Sequence, residues 1–274
     1  MSDLAGRTFL VTGANAGIGY ATATALAARG GRVHLACRST AKGKAALAAI
    51  TAATGSHQLN LLKLDLADLA SVKRCAADFL ALGEPLHVLV NNAGVAGRRG
   101  TTADGFELQF GVNHLGHFVL TRELLPRLVD VPDPRVVTVA SDSHFQAKGI
   151  PFEHLRSRTK SMTGMREYGV SKLCNVLFSA ELGRREPRVT TCSLHPGVVA
   201  SEIWRVPRPA RQIITRRMLT IEQGAQTSLY CATAPEAAGD SGRYFDKCQP
   251  SEPSDVVTPD LAARLWKYSE DAAS

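Results

Sequence analysis

The sequence lacks any long apolar run. None of its 274 residues lies in a stretch that approaches the ~18 consecutive apolar residues of a membrane-spanning helix. Its start, Met-Ser-Asp-Leu-Ala-Gly-Arg, has no apolar core of the kind that signal peptides carry. We therefore expect a soluble, cytoplasmic protein without a membrane anchor. Repeats, low-complexity tracts and linkers are also missing, so the sequence predicts one domain over residues 1–274.

Paired cysteines are missing as well. The six cysteines are scattered, with no C-x-x-C pair and no histidine cluster beside them. This spacing argues against a zinc site and against a disulfide framework. We expect no metal site, and we predict that most of the cysteines are small buried residues with reduced thiols. They are Cys37, Cys75, Cys174, Cys192, Cys231 and Cys248.

The charge pattern lacks a nucleic-acid signature, although the formal net charge is +7. A basic balance can indicate binding to nucleic acid or to an acidic membrane surface. Here lysine and arginine are spread along the chain, with one local cluster between residues 205 and 217. No basic stretch alternates with aromatic residues, as single-strand binding requires. We therefore expect a solvated basic surface and no nucleic-acid partner.

The sequence does contain short apolar runs that alternate with Ala/Leu-rich stretches of helical spacing. Strands that alternate with helices of this length predict βαβ units, and strands apolar throughout predict a sheet covered on both faces. The expected fold is a doubly wound parallel α/β sheet of the Rossmann type. The predicted strands are residues 8–11, 33–36, 59–64, 88–90, 136–140, 189–194 and 244–245, and the predicted helices are residues 18–28, 43–53, 69–80, 106–128, 167–185 and 222–232.

A glycine-rich turn, TGANAGIG at residues 12–19, joins the first predicted strand to the first helix. Backbone N–H groups at a helix start are unpaired donors that favour an anion, and glycine lets a pyrophosphate approach closely. The spacing is G-x-x-x-G-x-G, which is neither the G-x-G-x-x-G fingerprint nor a P-loop. The turn alone therefore indicates either a phosphate site or a turn that only packs tightly.

The end of the second strand distinguishes between nicotinamide cofactors. NAD-binding sites place an acid there for the ribose hydroxyls, whereas an arginine accommodates a 2′-phosphate. This chain has Leu-Ala-Cys-Arg-Ser at residues 35–39, with Arg38 and no acid. The sequence therefore predicts NADP(H) rather than NAD(H).

Tyr168 and Lys172 stand four residues apart on a predicted helix and so share one face. A free tyrosine, with a pKa of about 10, is a poor base at neutral pH. A nearby ammonium stabilises the tyrosinate, which lets tyrosine exchange a proton with a carbonyl or alcohol oxygen. A Y-x-x-x-K pair by itself also fits an ordinary pair of surface side chains.

The motifs occur in an order that resembles the short-chain dehydrogenase/reductase family over nearly the whole chain. They are the glycine turn, Asn91-Asn92-Ala93-Gly94, Val112-Asn113-His114, Ser141 at a strand end, the Tyr168/Lys172 pair and His195-Pro196-Gly197. Stretches such as FGVNHLGHF, YGVSKLCNVLF and LHPGVVASEI resemble its retinol dehydrogenase-like branch.

The resemblance implies roles for four catalytic residues. Tyr168 would be the general acid/base, and Lys172 would lower its pKa and bind the nicotinamide ribose. Ser141 would hydrogen-bond the substrate oxygen, with Ser143 as the alternative. Asn113 would hold a water in a proton relay.

It also implies a set of cofactor-binding positions. Asp65 and Leu66 would contact adenine, Pro196 and Gly197 would approach the nicotinamide, and Lys172 would serve both sites. The full predicted set is Gly13, Asn15, Ala16, Gly17, Ile18, Gly19, Arg38, Asp65, Leu66, Asn91, Ala93, Gly94, Tyr168, Lys172, Pro196, Gly197, Val199 and Ser201.

Two segments are candidates for the substrate pocket. The excursion over about residues 198–220 is rich in arginine and apolar residues and is expected to form a lid, its arginines facing either solvent or an acidic substrate. The insertion over residues 145–166, together with the preceding His144, offers the aromatic side chains His144, Phe145, Phe152 and His154. His114 and His117 are expected to be packing or interface residues rather than ligands.

The expected function is NADP(H)-dependent hydride transfer with a small hydrophobic aldehyde, ketone or alcohol. The alternative is a non-catalytic cofactor-binding regulatory or scaffold protein on the same fold, because fold alone does not imply activity. Members of the family commonly pair through the helices that carry Asn113 and Tyr168, so the resemblance implies a homodimer or homotetramer.

Overall fold

Eight strands form one sheet in the computed structural model, which describes residues 3–199, 218–239 and 241–274. Their order across the sheet is β3-β2-β1-β4-β5-β6-β7-β8. The strands β1 to β7 are parallel and β8 is antiparallel to β7. The strands are β1 Thr8–Thr12, β2 Arg32–Cys37, β3 Leu59–Lys63, β4 Val88–Asn91, β5 Arg135–Val139, β6 Thr190–His195, β7 Arg243–Asp246 and β8 Gln249–Ser251.

Helices cover both faces of this sheet, as its apolar strands predict. Phe9 and Val11 of β1 face one apolar cluster, which includes side chains of α1, α2 and α7, whereas Leu10 faces a second cluster with α3, α5, α6 and α8. The doubly wound parallel sheet is therefore confirmed. The helices are α1 Gly17–Ala28, α2 Thr40–Thr54, α3 Leu69–Ala81, α4 Leu108–Phe110, α5 Gly116–Leu128, α6 Met165–Arg185, α7 Ile221–Thr233 and α8 Pro259–Ala273.

The helix predicted over residues 106–128 is divided in the structure. A π-helical turn, Gly111–Leu115, separates α4 from α5. Such turns are rare and occur frequently at functional sites, and apolar periodicity cannot reveal them. The π-helical turn carries Asn113.

The C-terminal helix α8 was not among the predicted helices. Its Trp266 ring lies 5.0 Å from the Phe118 ring of α5 and 6.0 Å from the Phe178 ring of α6. Ser269 is hydrogen-bonded to His114 at 2.9 Å. The helix thus covers part of the two helices that the sequence analysis expected to meet a second subunit.

No helix in residues 3–199, 218–239 and 241–274 has the length and apolar character needed to cross a membrane.

Candidate active site

A cleft of about 430 Å³ opens at the carboxyl ends of the central strands. Ligands of doubly wound sheets bind at this edge, where the strand order reverses. Most of the predicted site residues line the cleft: Gly13, Asn15, Ala16, Gly17, Ile18, Gly19, Arg38, Asp65, Leu66, Ala93, Gly94, Ser141, Tyr168, Lys172, Pro196, Gly197 and Val199.

The glycine turn borders the cleft with the start of α1. The N-cap residue Ala16 provides no side-chain hydrogen bond, whereas α2, α3, α7 and α8 each have a side-chain cap. The first N–H groups of α1 are therefore available to an anion in the cleft. Gly19 also packs tightly, since a Cβ there would lie 2.7 Å from the Gly13 oxygen and against the Asn92 amide. The turn is therefore suited both to binding a phosphate and to packing tightly.

Thr12 ties this turn to the end of β4. Its hydroxyl accepts hydrogen bonds from the backbone N–H groups of Asn92 and Ala93, both at 2.9 Å. His117 Nδ1 lies 3.0 Å from the Asn113 carbonyl, which can only accept, so Nδ1 carries the proton. Burial lowers the pKa of His117 to about 4, and neutral Nε2 then accepts from the Thr12 hydroxyl at 2.9 Å. His117 has the structural role predicted for it.

Among the described residues, two predicted site residues, Asn91 and Asn113, do not line the cleft. The Asn91 side chain lies on the sheet face that α5 covers, where its amide donates to the Thr121 hydroxyl at 3.0 Å. Neighbouring residues of a strand face opposite sides of the sheet, so Asn91 does not reach the cleft. The Asn113 amide accepts from Val95 N–H at 2.8 Å and donates to Val95 O and Ser171 Oγ, both at 2.9 Å. In this structure its amide holds the loop after β4.

Arg38 lies exposed at the end of β2, as the sequence predicts. Within residues 3–199, 218–239 and 241–274 its guanidinium has no hydrogen-bond or ion-pair partner and borders the cleft. Asp65 lies just after β3, the strand next to β2, and its carboxylate accepts from the Ala67 N–H at 3.0 Å. A cationic side chain is therefore available where the sequence analysis placed a 2′-phosphate.

Tyr168 and Lys172 lie one turn apart on α6 and are almost completely buried. Burial raises the pKa of Tyr168 to about 12; a hydrogen bond with Ser141 opposes this shift and the Asp142 charge adds to it. Burial lowers the pKa of Lys172 to about 7. The Lys172 ammonium donates to the Val139 carbonyl at 2.8 Å. Tyr168 thus keeps its proton at neutral pH, and the lowering by Lys172 that the sequence analysis expected does not dominate.

Ser141, and not Ser143, borders the cleft. It lies just after β5, separated from Val139 by Ala140, and the Ser143 N–H donates to its hydroxyl at 3.2 Å. Behind it, buried His144 donates from Nδ1 to the Ser141 carbonyl at 2.6 Å and accepts from Ser254 N–H at 3.2 Å. Ser143 and His144 therefore support the backbone and hydroxyl of Ser141.

The four aromatic candidates from the insertion do not form the wall of the main cleft. His144 is fully buried, Phe145 is 53% exposed, and neither borders the cleft. Phe152 packs against Tyr268 of α8. His154 borders a second cavity of about 310 Å³ instead. Their orientation depends on the tertiary path of the insertion, which residue type cannot show.

Sequence reasoning gave no site role to two polar residues that line the cleft beside Ser141. Asp142 accepts the Ser141 hydroxyl at 2.9 Å, and its N–H donates to His195 Nδ1 at 3.2 Å. His195 ends β6, next to the predicted Pro196 and Gly197. Asp142 lies in the turn after β5 and His195 ends β6. These positions were the available signal, because neighbouring parallel strands end side by side.

The predicted lid lies mostly outside the described residues. So does Ser201. The described ends of the excursion approach each other, since Leu219 N–H donates to Val198 O at 2.9 Å. Residues 3–199, 218–239 and 241–274 contain no group of three or more metal-ligand side chains.

A family model described as short chain dehydrogenase matches residues 7–152. Retinol dehydrogenase 11 of Mus musculus is 44% identical over an alignment of 276 positions that covers 98% of this chain and 87% of that protein. The chain belongs to the short chain dehydrogenase family. Within this family it is retinol dehydrogenase-like, as Homo sapiens retinol dehydrogenase 12 is 44% identical over 97% of this chain and 86% of that protein.

A solved structure supports the same fold. The crystal structure of an uncharacterised Mycobacterium paratuberculosis protein has a TM-score of 0.80 and 35% identity, and the match covers 98% of this chain and 94% of that one. Short chain dehydrogenases are oxidoreductases that use a nicotinamide cofactor and act on CH–OH or C=O groups. The cleft fits such a dinucleotide, because the uncapped start of α1 provides anion donors and Tyr168 and Lys172 line the same cleft.

Proposed function

We propose that this chain is an NADP(H)-dependent reductase of lipophilic aldehydes and ketones that also oxidises the matching alcohols. The observation that carries the proposal is that Ser141, Tyr168 and Lys172 line one cleft, with Tyr168 and Lys172 one turn apart on α6. The nicotinamide of the bound cofactor supplies or accepts the hydride. The lipophilic substrate class is supported by the similarity to retinol dehydrogenases and by the apolar lining residues Val95, Ala96 and Val198.

In the proposed reduction, Tyr168 donates its proton to the carbonyl oxygen of the substrate. A pKa of about 12 keeps the phenol protonated at neutral pH, so the resting site is prepared to act as an acid. Ser141 binds the same oxygen and holds it at Tyr168. Burial lowers the pKa of Lys172 to about 7, so its side chain is charged in only part of the molecules at neutral pH, and Lys172 would bind the nicotinamide ribose.

A substrate screen tests this function. Consumption of NADPH and NADH is measured with aldehydes, ketones and quinones, and NADP⁺ with alcohols tests the reverse reaction. We expect turnover of apolar carbonyl compounds with NADPH favoured. Cofactor binding without turnover of any compound would contradict the proposal and favour the non-catalytic alternative.

The proposed NADP(H) preference depends on Arg38. We expect Arg38→Asp to shift the ratio of kcat/KM for NADPH over NADH by about 10- to 100-fold toward NADH, since an ion pair of this kind is worth about 1–3 kcal/mol. Lys44→Asp, an exposed residue of α2 away from the cleft, makes the same charge change and serves as the control. An unchanged ratio in Arg38→Asp would remove Arg38 from this role.

A homodimer or homotetramer remains our proposed assembly, and the cytoplasm our proposed location. Because α8 packs on α5 and α6, a subunit contact at that face would have to include α8. Light scattering at micromolar concentration tests the assembly, and a monomer would contradict it.

A further inference from the structure

Arg98 is a cationic residue of the cleft to which the proposed function gives no role. It belongs to the loop after β4 and borders the cleft, where it is half-buried, whereas its neighbour Arg99 is exposed and does not border the cleft. Among the residues that the structure describes, the Arg98 guanidinium has no hydrogen-bond or ion-pair partner. A partly buried guanidinium whose N–H donors lack protein partners attracts an anion that enters the cleft.

Glycines and hydrogen bonds fix the backbone on both sides of Arg98. Gly97 has a φ of 60°, in the left-handed region that favours glycine, and its N–H donates to the side chain of buried Gln109 at 3.1 Å. The Gly100 N–H donates to the Thr159 hydroxyl at 3.1 Å. The loop therefore presents Arg98 from a fixed backbone, so less of the chain has to be ordered when a ligand binds.

The same loop brings Arg98 to the start of α6, the helix that carries Tyr168. A Cβ at Gly164 would lie 3.0 Å from the Arg98 carbonyl oxygen, so the two backbones are in contact. The Tyr168 N–H donates to the Gly164 carbonyl at 3.0 Å, one helical turn further along. A turn spans about 5.4 Å of the helix axis. The Arg98 backbone thus lies about one helical turn from that of Tyr168, a separation that one substrate molecule can span.

The loop after β4 connects the catalytic end of the cleft to Arg98 through apolar residues. At its inner end, a Cβ on Gly94 would lie 3.7 Å from Lys172 Nζ. Val95 and Ala96 follow Gly94 and border the cleft before Arg98 is reached. A matching ligand has a reactive carbonyl group, an apolar chain and an anionic group at the other end.

The acidic residues at the cleft lie away from Arg98. Among the described residues that border it, the acids are Asp65, just after β3, and Asp142, in the turn after β5. The Asp142 carboxylate accepts the Ser141 hydroxyl at 2.9 Å, so its charge disfavours an anion near Ser141. An anionic group is therefore disfavoured at the carbonyl end of the substrate and favoured at Arg98, which gives the substrate one orientation.

We propose that Arg98 binds a carboxylate at the end of the substrate remote from its carbonyl, and that the chain acts on lipophilic oxo acids. This inference rests on the proposed oxidoreductase function and names its substrate class. A carboxylate suits Arg98, because one guanidinium matches its single charge and can bind both of its oxygens. The hydride and proton transfers are those of the proposed function. Arg98 touches no reacting atom and determines specificity.

A pair of substrates tests this specificity. The reduction of ω-oxodecanoate and of its uncharged methyl ester is measured with NADPH. We expect kcat/KM of the original chain to favour the acid by about 10- to 100-fold, mostly through KM, as for hydrogen bonds to a charged group. Arg98→Gln should remove this preference. Arg98→Lys should keep part of it, because an ammonium keeps the charge without the planar fork.

Arg99→Gln is the matched control, because it makes the same charge change in the adjacent residue outside the cleft. Its preference for the acid should equal that of the original chain. Equal kcat/KM for acid and ester in the original chain would overturn the inference and leave the proposed function standing. A preference that Arg98→Gln retains would also overturn it. So would a rise of KM for NADPH with both substrates in Arg98→Gln, which would assign Arg98 to the dinucleotide.

Binding of decanoate tests the carboxylate site without turnover. Its affinity for the chain saturated with NADP⁺ is measured by isothermal titration calorimetry. We expect Arg98→Gln to weaken binding by about tenfold or more and Arg99→Gln to leave it unchanged. Equal affinities in all three chains, or no binding to the original chain, would overturn the inference. Binding that depends on Arg98 in a chain without oxidoreductase activity would reject the proposed function and leave the carboxylate site standing.

Discussion

We expect Tyr168→Phe to lower kcat by about 10³-fold or more, in the upper part of the range for a lost general acid. The substitution removes one oxygen from a residue that is 4% exposed, so the α6 packing is retained. NADPH binding, followed by the fluorescence of the bound dinucleotide, should persist. The loss is expected in kcat rather than in KM, because the phenol proton is needed only when the substrate oxygen gains charge.

Tyr268→Phe is the matched control for this experiment. Tyr268 lies on α8, where its ring packs against Phe110 and Phe152 outside the cleft. Turnover within about twofold of the original chain is expected, because the half-buried Tyr268 keeps its ring contacts and does not border the cleft. Activity of Tyr168→Phe close to that of the control would reject the proposed acid.

The second large effect is expected on stability, from Arg135→Ala. Arg135 is 2% exposed at the start of β5, and its guanidinium donates to Asp133 at 2.9 Å. It also donates to the carbonyls of Ala234 at 2.7 Å and Cys231 at 3.2 Å, at the end of α7. Truncation leaves a carboxylate and two carbonyls without this partner, so the free energy of unfolding should fall by about 3–5 kcal/mol.

Urea denaturation followed by circular dichroism measures this change. Arg32→Ala is the control, since Arg32 forms a more exposed ion pair with Glu84 and its loss should cost less than about 1 kcal/mol. Equal losses in the two variants would contradict the prediction.

The contribution of Asp133 to stability gives the pH dependence of this effect. Burial alone raises the pKa of Asp133, but hydrogen bonds with Arg135 and Arg7 outweigh burial and lower the pKa. A lowered folded-state pKa means that the contribution is complete above the unfolded value near 3.8 and is lost as pH falls through the folded value. The stability difference between Arg135→Ala and the original chain should therefore narrow only below about pH 4.

Local spacing predicted where the glycine turn, Tyr168, Lys172 and Ser141 lie, whereas their roles were implied by the family resemblance. The glycine turn and Ser141 lie close to a strand end, and Tyr168 and Lys172 share a helix face. Residues that are close in the sequence are therefore also close in the cleft. The directions of the Asn91 and Asn113 amides could not be predicted from spacing. The face of Asn91 changes with a shift of one residue along β4, and the direction of Asn113 depends on the π-helical turn. The Asp142–His195 contact depends on β5 and β6 ending side by side.

The protonation of Tyr168 could not be predicted from spacing at all. The i, i+4 arrangement indicates that the ammonium of Lys172 is near, but burial of both groups decides the direction of their pKa shifts. Burial is a property of the assembled domain, to which α8 and the chain after β7 also contribute.

The position of α8 has a consequence for the synthesis of the chain. The apolar side chains of α5 and α6 that Trp266 covers are made well before Trp266 itself. Domains fold as units as the chain leaves the ribosome, and exposed apolar surface promotes aggregation. Nascent chains that stop before α8 therefore carry the whole cleft but leave this surface uncovered, and we expect them to depend on chaperones or to be degraded.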